Sequence, residues 1–455
     1  MRSLIKKIIP HRIFEKIEPL GHLLETVLWQ VLAGFPAKKL KVIGITGTDG
    51  KTTTCTLVAQ MLRNSGEKVA MLTTISLDLG DGSGPQPNQS RLTTMGSMQL
   101  VKKLKAVKAS GAEWLVLEVT SHALAQNRVW GIPLYAVAMT NLNHEHLDYH
   151  KTFENYRDAK VKLFKLADKN SDGLKVGVVN ADDPNSKYFA DQISTPLSYG
   201  IESGDLKATN IKTTSSGSKY SVQIEDATFN IVCNLPGGFN VYNSLAALGL
   251  GCVIGLNQEE IEEGIASLTS VEGRMARVDE GQDFEVIIDY AHTPESSEKI
   301  YKEIKPTVKG KLITVFGSAG RRDSEKRGEQ GKLAGKYADI VVVTEEDDRD
   351  VDGMAILEQI AVGSEAEGKK RDKDLFLVHK REEAVKKAIQ MAKEGDVVLL
   401  LGKGHEKSIL SNKPGILNTE DDNFDEATMT VSRPYSEEQA ARDALKGLQG
   451  MGFRD

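Results

Sequence analysis

The stretch that decides the fold is KVIGITGTDGKTTT, residues 41–54. KVIGIT reads as a β-strand, GTDG as a glycine-rich turn, and the run from Lys51 as the start of a helix. Gly47 and Gly50 let the backbone come close to a phosphate, so that successive N–H groups face its oxygens. The helix start adds the positive end of its dipole. Lys51 is placed to hold the β- and γ-phosphates as a point charge, and Thr52 to offer magnesium a hydroxyl. Thr48, Asp49 and Thr53 complete the nucleotide-facing loop. The spacing is not the common G-x-x-x-x-G-K-T, because Gly44 stands one residue too early. A plain glycine-rich turn is the bland alternative, but strand, turn, Lys-Thr and helix all arrive in register.

Outward from this loop, short β-branched runs alternate with longer helical stretches, which predicts an α/β protein with mostly parallel sheet. Strands are expected at EWLVLEV (113–119), YAVAMT (135–140) and LKVGVVN (174–180). Residues 205–233 alternate without helical period and predict an antiparallel insert. A second α/β set follows, with FEVIIDY, KLITVFG, DIVVVT and DVVLLLG, and the break near Val271–Arg274 marks the boundary. The expected organisation is a helical extension over 1–40, a central P-loop ATPase domain over 41–270 and a Rossmann-like α/β domain over 271–455. Residues 80–90 read as a surface loop.

The net charge of −6 argues against a general nucleic-acid binder, which needs a basic face. Cys55, Cys233 and Cys252 lie far apart with no C-x-x-C spacing and read as small buried hydrophobes in a reducing compartment. No secretory signal is evident, so a cytoplasmic location is expected. Residues 20–35, LGHLLETVLWQVLAGF, are too short and polar to span a membrane. They read as a helix packed on the main body. The alternative is a weak membrane-surface contact through residues 1–35, since Lys6, Lys7, Arg12 and Lys16 precede or open the stretch.

GTDGKTTT, LEVTSHALAQNRV (117–129), TNLNHEHLDYH (140–150) and ENYRDAKVKLF (154–164) occur in one order with GGFNVYN (237–243), EGRM (272–275), DYAHTP (289–294), FGSAGRRDSEKR (316–327) and GKGHE (402–406). Together they resemble the Mur ligase family of peptidoglycan synthesis, and within it the MurE-type ligases, over roughly residues 41 to 445. The resemblance implies transfer of the ATP γ-phosphoryl group to a carboxylate, giving an acyl phosphate that an amino acid's amine then attacks. It implies two magnesium ions, held by Thr52, Glu118 and His146, with Lys160 carrying an N6-carboxy group that turns a cation into a carboxylate-like ligand. Glu118 also ends a predicted strand, where ligands of open α/β sheets sit. Asn240 and Asn243 match adenine-side asparagines, although Asn is as often a turn or cap former. Arg274, Asp289 and His292 match nucleotide contacts from the second domain, whose closure would keep water from the acyl phosphate.

For the acceptor, a muramoyl dipeptide, the matching residues are Thr93, Thr94, Thr120, Gln126 and Arg128. For the incoming amino acid they are Arg349, Gly402 and Glu406, with Arg349 able to grip a carboxylate through its planar fork. The sequence departs from the family pattern in four places. Only about 43 residues precede the phosphate turn, where the family has a uridine-binding domain too large for such a segment. The Asp-Asn-Pro-Arg motif reads Glu346-Asp347-Asp348-Arg349, whose extra acidity favours a diamino acid such as diaminopimelate or lysine. Arg321 stands where aspartate is usual, and Glu145 replaces aspartate before His146. A monomer is expected. The competing readings are a related ligase acting on a lipid-linked or polyglutamate carboxylate, and a nucleotide-binding scaffold without turnover.

Overall fold

The computed structural model describes residues 11–88, 95–143, 145–214, 216–321, 324–413 and 429–450. They form two compact units, Met1–Thr269 and Ser270–Asp455.

In the first unit the apolar runs become central strands because both faces of the sheet are covered. β1 (Lys41–Thr46) is buried at every residue after Lys41, the pattern of a parallel strand with helices on both sides. It pairs in parallel with β5 (Trp114–Glu118) and β6 (Leu134–Met139). Between them in sequence come α2 (Lys51–Asn64), the strands β2 (Val69–Leu72), β3 (Ser76–Asp78) and β4 (Gln86–Pro87), and α3 (Ser97–Ser110). After β5 a short α4 (Ser121–Ala125) leads to β6, and α5 (Phe153–Asp168) to β7 (Val176–Asn180) and β8 (Thr195–Gly200). The sheet order is β11-β10-β9-β8-β7-β6-β1-β5-β2-β3-β4.

The predicted antiparallel insert is β9 (Leu206–Thr214), β10 (Gly217–Ile224) and β11 (Ala227–Cys233). β10 alternates between buried and more exposed residues along most of its length because one face meets solvent, while β9 alternates only over its first residues and is then largely exposed. Two helices, α6 (Phe239–Ile254) and α7 (Gln258–Ser267), close the unit. The loop expected at 80–90 holds one short strand, β4, before the described residues stop at Asn88.

The helix expected at 20–35 is α1 (His11–Ala33), and its orientation differs from the usual one. It packs on α3 through polar residues, with a 2.6 Å bond between the hydroxyls of Thr26 and Ser97, while Leu20, Leu24, Leu28 and Leu32 face outward. No helix among the described residues is long and apolar enough to cross a membrane.

The second unit is a six-stranded sheet in the order β12-β13-β17-β14-β15-β16, parallel except for β12 against β13. Its strands are β12 (Ala276–Val278), β13 (Glu285–Asp289), β14 (Leu312–Phe316), β15 (Ile340–Val343), β16 (Leu375–Leu377) and β17 (Val397–Leu401). Crossover helices α8 (Pro294–Ile304), α9 (Glu325–Tyr337), α10 (Gly353–Ala366) and α11 (Arg381–Met391) connect them. A hairpin of β18 (Ser408–Asn412) and β19 (Thr430–Pro434) and a last helix, α12 (Glu437–Gly450), follow. Cys55 and Cys233 are buried and Cys252 is half-buried, all as free thiols.

Candidate active site

The carboxy-terminal ends of β1, β5 and β6 converge on the glycine-rich loop. α2 starts at Gly50 with no side-chain cap, so its first N–H groups are left for an anion to satisfy. Gly47 (φ 149°) and Gly50 (φ 79°) both have backbone angles that favour glycine. A Cβ on Gly47 would stand 1.9 Å from Thr140 Oγ1, and one on Gly50 would stand 2.1 Å from Asn243 Oδ1.

The loop after β6 braces this turn. Asn141 Oδ1 accepts from Asp49 N at 2.9 Å, and Thr140 Oγ1 donates to Asp49 O at 2.6 Å. Thr48 Oγ1 accepts from Asn143 N at 2.9 Å and lies 2.9 Å from the hydroxyl of Tyr156. Lys51 Nζ donates to Thr48 O at 2.7 Å, which places its ammonium over the loop. Thr53 is buried in the first turn of α2.

Glu118, at the end of β5, is 1% exposed. Its Oε2 accepts from Thr52 Oγ1 at 2.9 Å and from Thr74 N at 3.0 Å, and its Oε1 accepts from Thr74 Oγ1 at 2.8 Å. A buried carboxylate sharing a hydroxyl with the phosphate loop is a hard oxygen donor set suited to magnesium.

Lys160, on α5, is 2% exposed, donates to Gly47 O, and lies 4.6 Å from the Tyr156 ring centroid. Burial, reinforced by the Lys51 ammonium, pushes its pKa well below the ordinary lysine value. That shift is toward the neutral amine, the nucleophilic state that carboxylation of a lysine requires. His146 has a positive φ of 56° and a half-exposed ring 3.6 Å from Glu145. The ring stands edge-on to His122 at 4.7 Å.

Asn240 and Asn243 are buried on α6 and bonded to each other, Asn243 Nδ2 to Asn240 Oδ1 at 2.8 Å, with Asn240 Nδ2 on Pro236 O at 2.7 Å. Asn243 thereby touches the phosphate loop itself, at Gly50. Thr120 caps α4 by accepting from Ala123 N at 3.2 Å. Gln126 links Arg128 to the hydroxyl of Tyr149, with Arg128 donating to Gln126 Oε1 at 2.6 and 2.9 Å. Thr93 and Thr94 lie outside the described residues.

In the second unit, the ends of β13 and β17 gather another cluster. Asp289 accepts from Met275 N and Ala291 N, both at 2.8 Å. Arg274 lies over the Tyr290 ring at 5.1 Å, and His292 Nδ1 lies 2.9 Å from Tyr290 O. Tyr290 Oη donates to Glu406, which is paired with the fully buried Lys403. Burial alone would lower the pKa of Lys403; Glu406 and Asp347 outweigh it and hold the ammonium charged. Burial, with Arg274 beside it, depresses His405 to about 3, so that histidine stays neutral.

Arg349 is buried, with φ 57° and a 2.6 Å bond from NH1 to Gly320 O. Glu346 is 8% exposed and its Oε2 has no hydrogen-bond partner among the described residues. That oxygen faces Gly402, where a Cβ would stand only 3.1 Å away. Arg321 grips Asp350 bidentately at 2.7 and 2.9 Å. The sequence reading did not single out Thr74, Thr140, Asn141, Tyr156, Lys403 or His379. Of these only Thr140, Asn141, Tyr156 and Lys403 fall within motifs quoted for other members.

Residues 45–251 match the Mur ligase middle domain and residues 273–404 match the Mur ligase glutamate ligase domain. The chain is 38% identical over 389 residues to UDP-N-acetylmuramyl-tripeptide synthetase of Roseiflexus sp. (strain RS-1), covering 83% of this chain and 76% of that relative. It is 39% identical over 383 residues to UDP-N-acetylmuramoyl-L-alanyl-D-glutamate–2,6-diaminopimelate ligase 1 of Clostridium acetobutylicum, with the same coverage. A solved structure of a UDP-N-acetylmuramoyl-L-alanyl-D-glutamate–2,6-diaminopimelate ligase superposes with a TM-score of 0.62 at 27% identity, covering 95% of this chain and 83% of the other.

Proposed function

The chain belongs to the Mur ligase family of ATP-dependent, amide-forming enzymes, and on that premise we propose that it adds a diamino acid to UDP-N-acetylmuramoyl-L-alanyl-D-glutamate in peptidoglycan-precursor synthesis. The observation that carries the phosphoryl chemistry is Glu118, buried at a strand end and bonded to Thr52 of the phosphate loop. In the reaction, the terminal phosphoryl group leaves ADP and bonds to an oxygen of the acceptor's carboxylate. The amine of the incoming amino acid then attacks the acyl carbon, the carbon–oxygen bond to phosphate breaks, and the amine loses a proton.

The physical obstacle is repulsion between an anionic carboxylate and a triphosphate. Lys51 and the uncapped N–H groups of α2 counter it by holding the phosphates. Thr52 and Glu118 would hold magnesium, with His146 and carboxylated Lys160 as further ligands. The ion would supply charge neutralisation at the transferring group. Tyr156, bridging Thr48 and Glu145, keeps the loop and the Lys160 helix in register.

In the second unit, Arg349 is assigned to the carboxylate of the amino acid. The buried oxygen of Glu346 beside Gly402 is assigned to a distal ammonium, because a buried carboxylate oxygen with no hydrogen-bond donor is costly to leave unmet. This supports a diamino acid over a neutral one. Asp289, Arg274, His292, Asn240 and Asn243 are assigned to the nucleotide, and Thr120, Gln126, Arg128, Thr93 and Thr94 to the acceptor. A reaction that draws on ATP and a nucleotide-linked acceptor is assigned to the cytoplasm as part of the same reading.

The test is phosphate release from ATP with the UDP-linked dipeptide, run separately with diaminopimelate, lysine, ornithine and alanine. Release with one diamino acid and none with alanine is expected. Silence with every diamino acid, alongside turnover of a lipid-linked or polyglutamate acceptor, would refute the proposed acceptor.

A further inference from the structure

α1 inverts the pattern of an ordinary amphipathic helix. Its inward face is polar, with His22, Thr26 and Gln30 buried and Gln30 donating to Trp130 O at 3.1 Å. Its outward face is apolar: Leu20 is 57% exposed, Leu24 61%, Leu28 54%, Val31 57% and Leu32 65%. Steps of three and four residues align these side chains in one stripe, and a contiguous exposed apolar surface of this kind marks an interaction site.

The charge around the stripe says what covers it. The chain as a whole carries a net charge of −6, yet lysines stand just past the end of the stripe and on the neighbouring helix. Lys38 and Lys39 are exposed just past the helix end. α3, packed beside α1, has no acidic residue and exposes Lys102, Lys105 and Lys108. A second copy docking isologously on the stripe would bring two lysine-rich, like-charged surfaces to one interface. An anionic surface is attracted by them instead.

We propose that α1 lies on an anionic lipid surface, its leucine stripe at the headgroup–acyl boundary and the surrounding lysines on lipid phosphates. A single in-plane helix of this kind binds reversibly, so the enzyme would exchange between membrane surface and solution.

The experiment is co-sedimentation of the full chain with vesicles of phosphatidylcholine and phosphatidylglycerol at about 3:1, against pure phosphatidylcholine. Binding only to the anionic vesicles is expected. Leu24→Glu/Leu28→Glu should reduce it by about tenfold or more, and Lys102→Ala/Lys105→Ala/Lys108→Ala should both weaken it and blunt its salt dependence. All five side chains are exposed, so phosphate release and the circular dichroism spectrum should stay unchanged in both variants. Failure to bind anionic vesicles would overturn the proposal, as would binding that the leucine variant leaves intact. A dimer in light scattering that Leu24→Glu/Leu28→Glu dissolves would overturn it in favour of a second copy on the stripe.

Discussion

Gly50→Ala probes the contact between the phosphate loop and Asn243. Gly50 has φ 79°, a left-handed conformation that costs a non-glycine residue about 1–2 kcal/mol. The new Cβ would also lie 2.1 Å from Asn243 Oδ1. Asn243 can yield only by giving up its 2.8 Å bond to Asn240, in a site where both residues are buried. Losing that bond costs about 1–3 kcal/mol, so Gly50→Ala should destabilise the first unit by about 2–5 kcal/mol. Asn243→Ala alone should cost about 1–3 kcal/mol. In the double variant the clash is gone and the lost bond counts once, so it should fall short of additivity by about 1–3 kcal/mol. Urea unfolding followed by tryptophan fluorescence isolates the relevant unit, because Trp29, Trp114 and Trp130 all lie within residues 1–269. Single-variant effects that add to within about 0.5 kcal/mol would show that the two positions do not constrain each other.

Glu118→Gln should lower turnover by about a hundredfold or more while leaving ADP affinity in EDTA nearly unchanged; an equal loss of ADP affinity in EDTA would assign Glu118 to the nucleotide. Unmodified Lys160 has a folded pKa well below its unfolded value, so the unfolded chain binds the extra proton between the two, and its cost to stability shrinks as pH rises toward about 10.5. Lys160→Met should therefore be more stable than the parent at neutral pH by a margin that narrows at alkaline pH, although inactive; a constant margin in the same unfolding assay would contradict this. The Asp348 hydrogen bond raises His379, and burial, only partly offset by His379, raises Asp348. Stability from His379 is thus fully present below about pH 6.5 and is lost as pH rises through its raised value. Hydrogen exchange at β15 should show that dependence, and His379→Gln should flatten it; an unchanged profile would discard the pair as the cause.

Where the sequence reading succeeded, the signal was local. β1 and the start of α2 stand at the residues expected, because a continuous apolar run and a glycine-rich turn each constrain the backbone within a few positions. The antiparallel insert was legible from alternation alone. What escaped were partners far apart in the chain: Thr74 lies 44 residues from the Glu118 it bonds, and Tyr156 lies 108 from Thr48. No periodicity records such pairs. α1 shows a different failure. Its period was readable, but a helix with leucines on one face and Thr26 and Gln30 on the other does not announce which face turns inward. Burial of the apolar face is the default expectation, and here a buried hydrogen bond to Ser97 and a part-buried one to Trp130 hold the opposite one.

The loss of proline at Asp348 is the most instructive departure. A ring that pre-sets the backbone of this turn is gone, which by itself predicts a looser segment around Arg349. The structure replaces the covalent constraint with polar ones. Asp348 is tied to His379 at 2.6 Å, Asp347 accepts from Lys403 Nζ at 3.1 Å and Leu410 N at 2.8 Å, and Arg349 N donates to Leu410 O at 3.1 Å. Arg349 keeps its left-handed backbone and its bond to Gly320 O within that frame. A turn held by charged partners responds to pH where a proline turn does not. The titration of His379 therefore bears on the segment that carries both Glu346 and Arg349, the two residues assigned to the ends of the incoming amino acid.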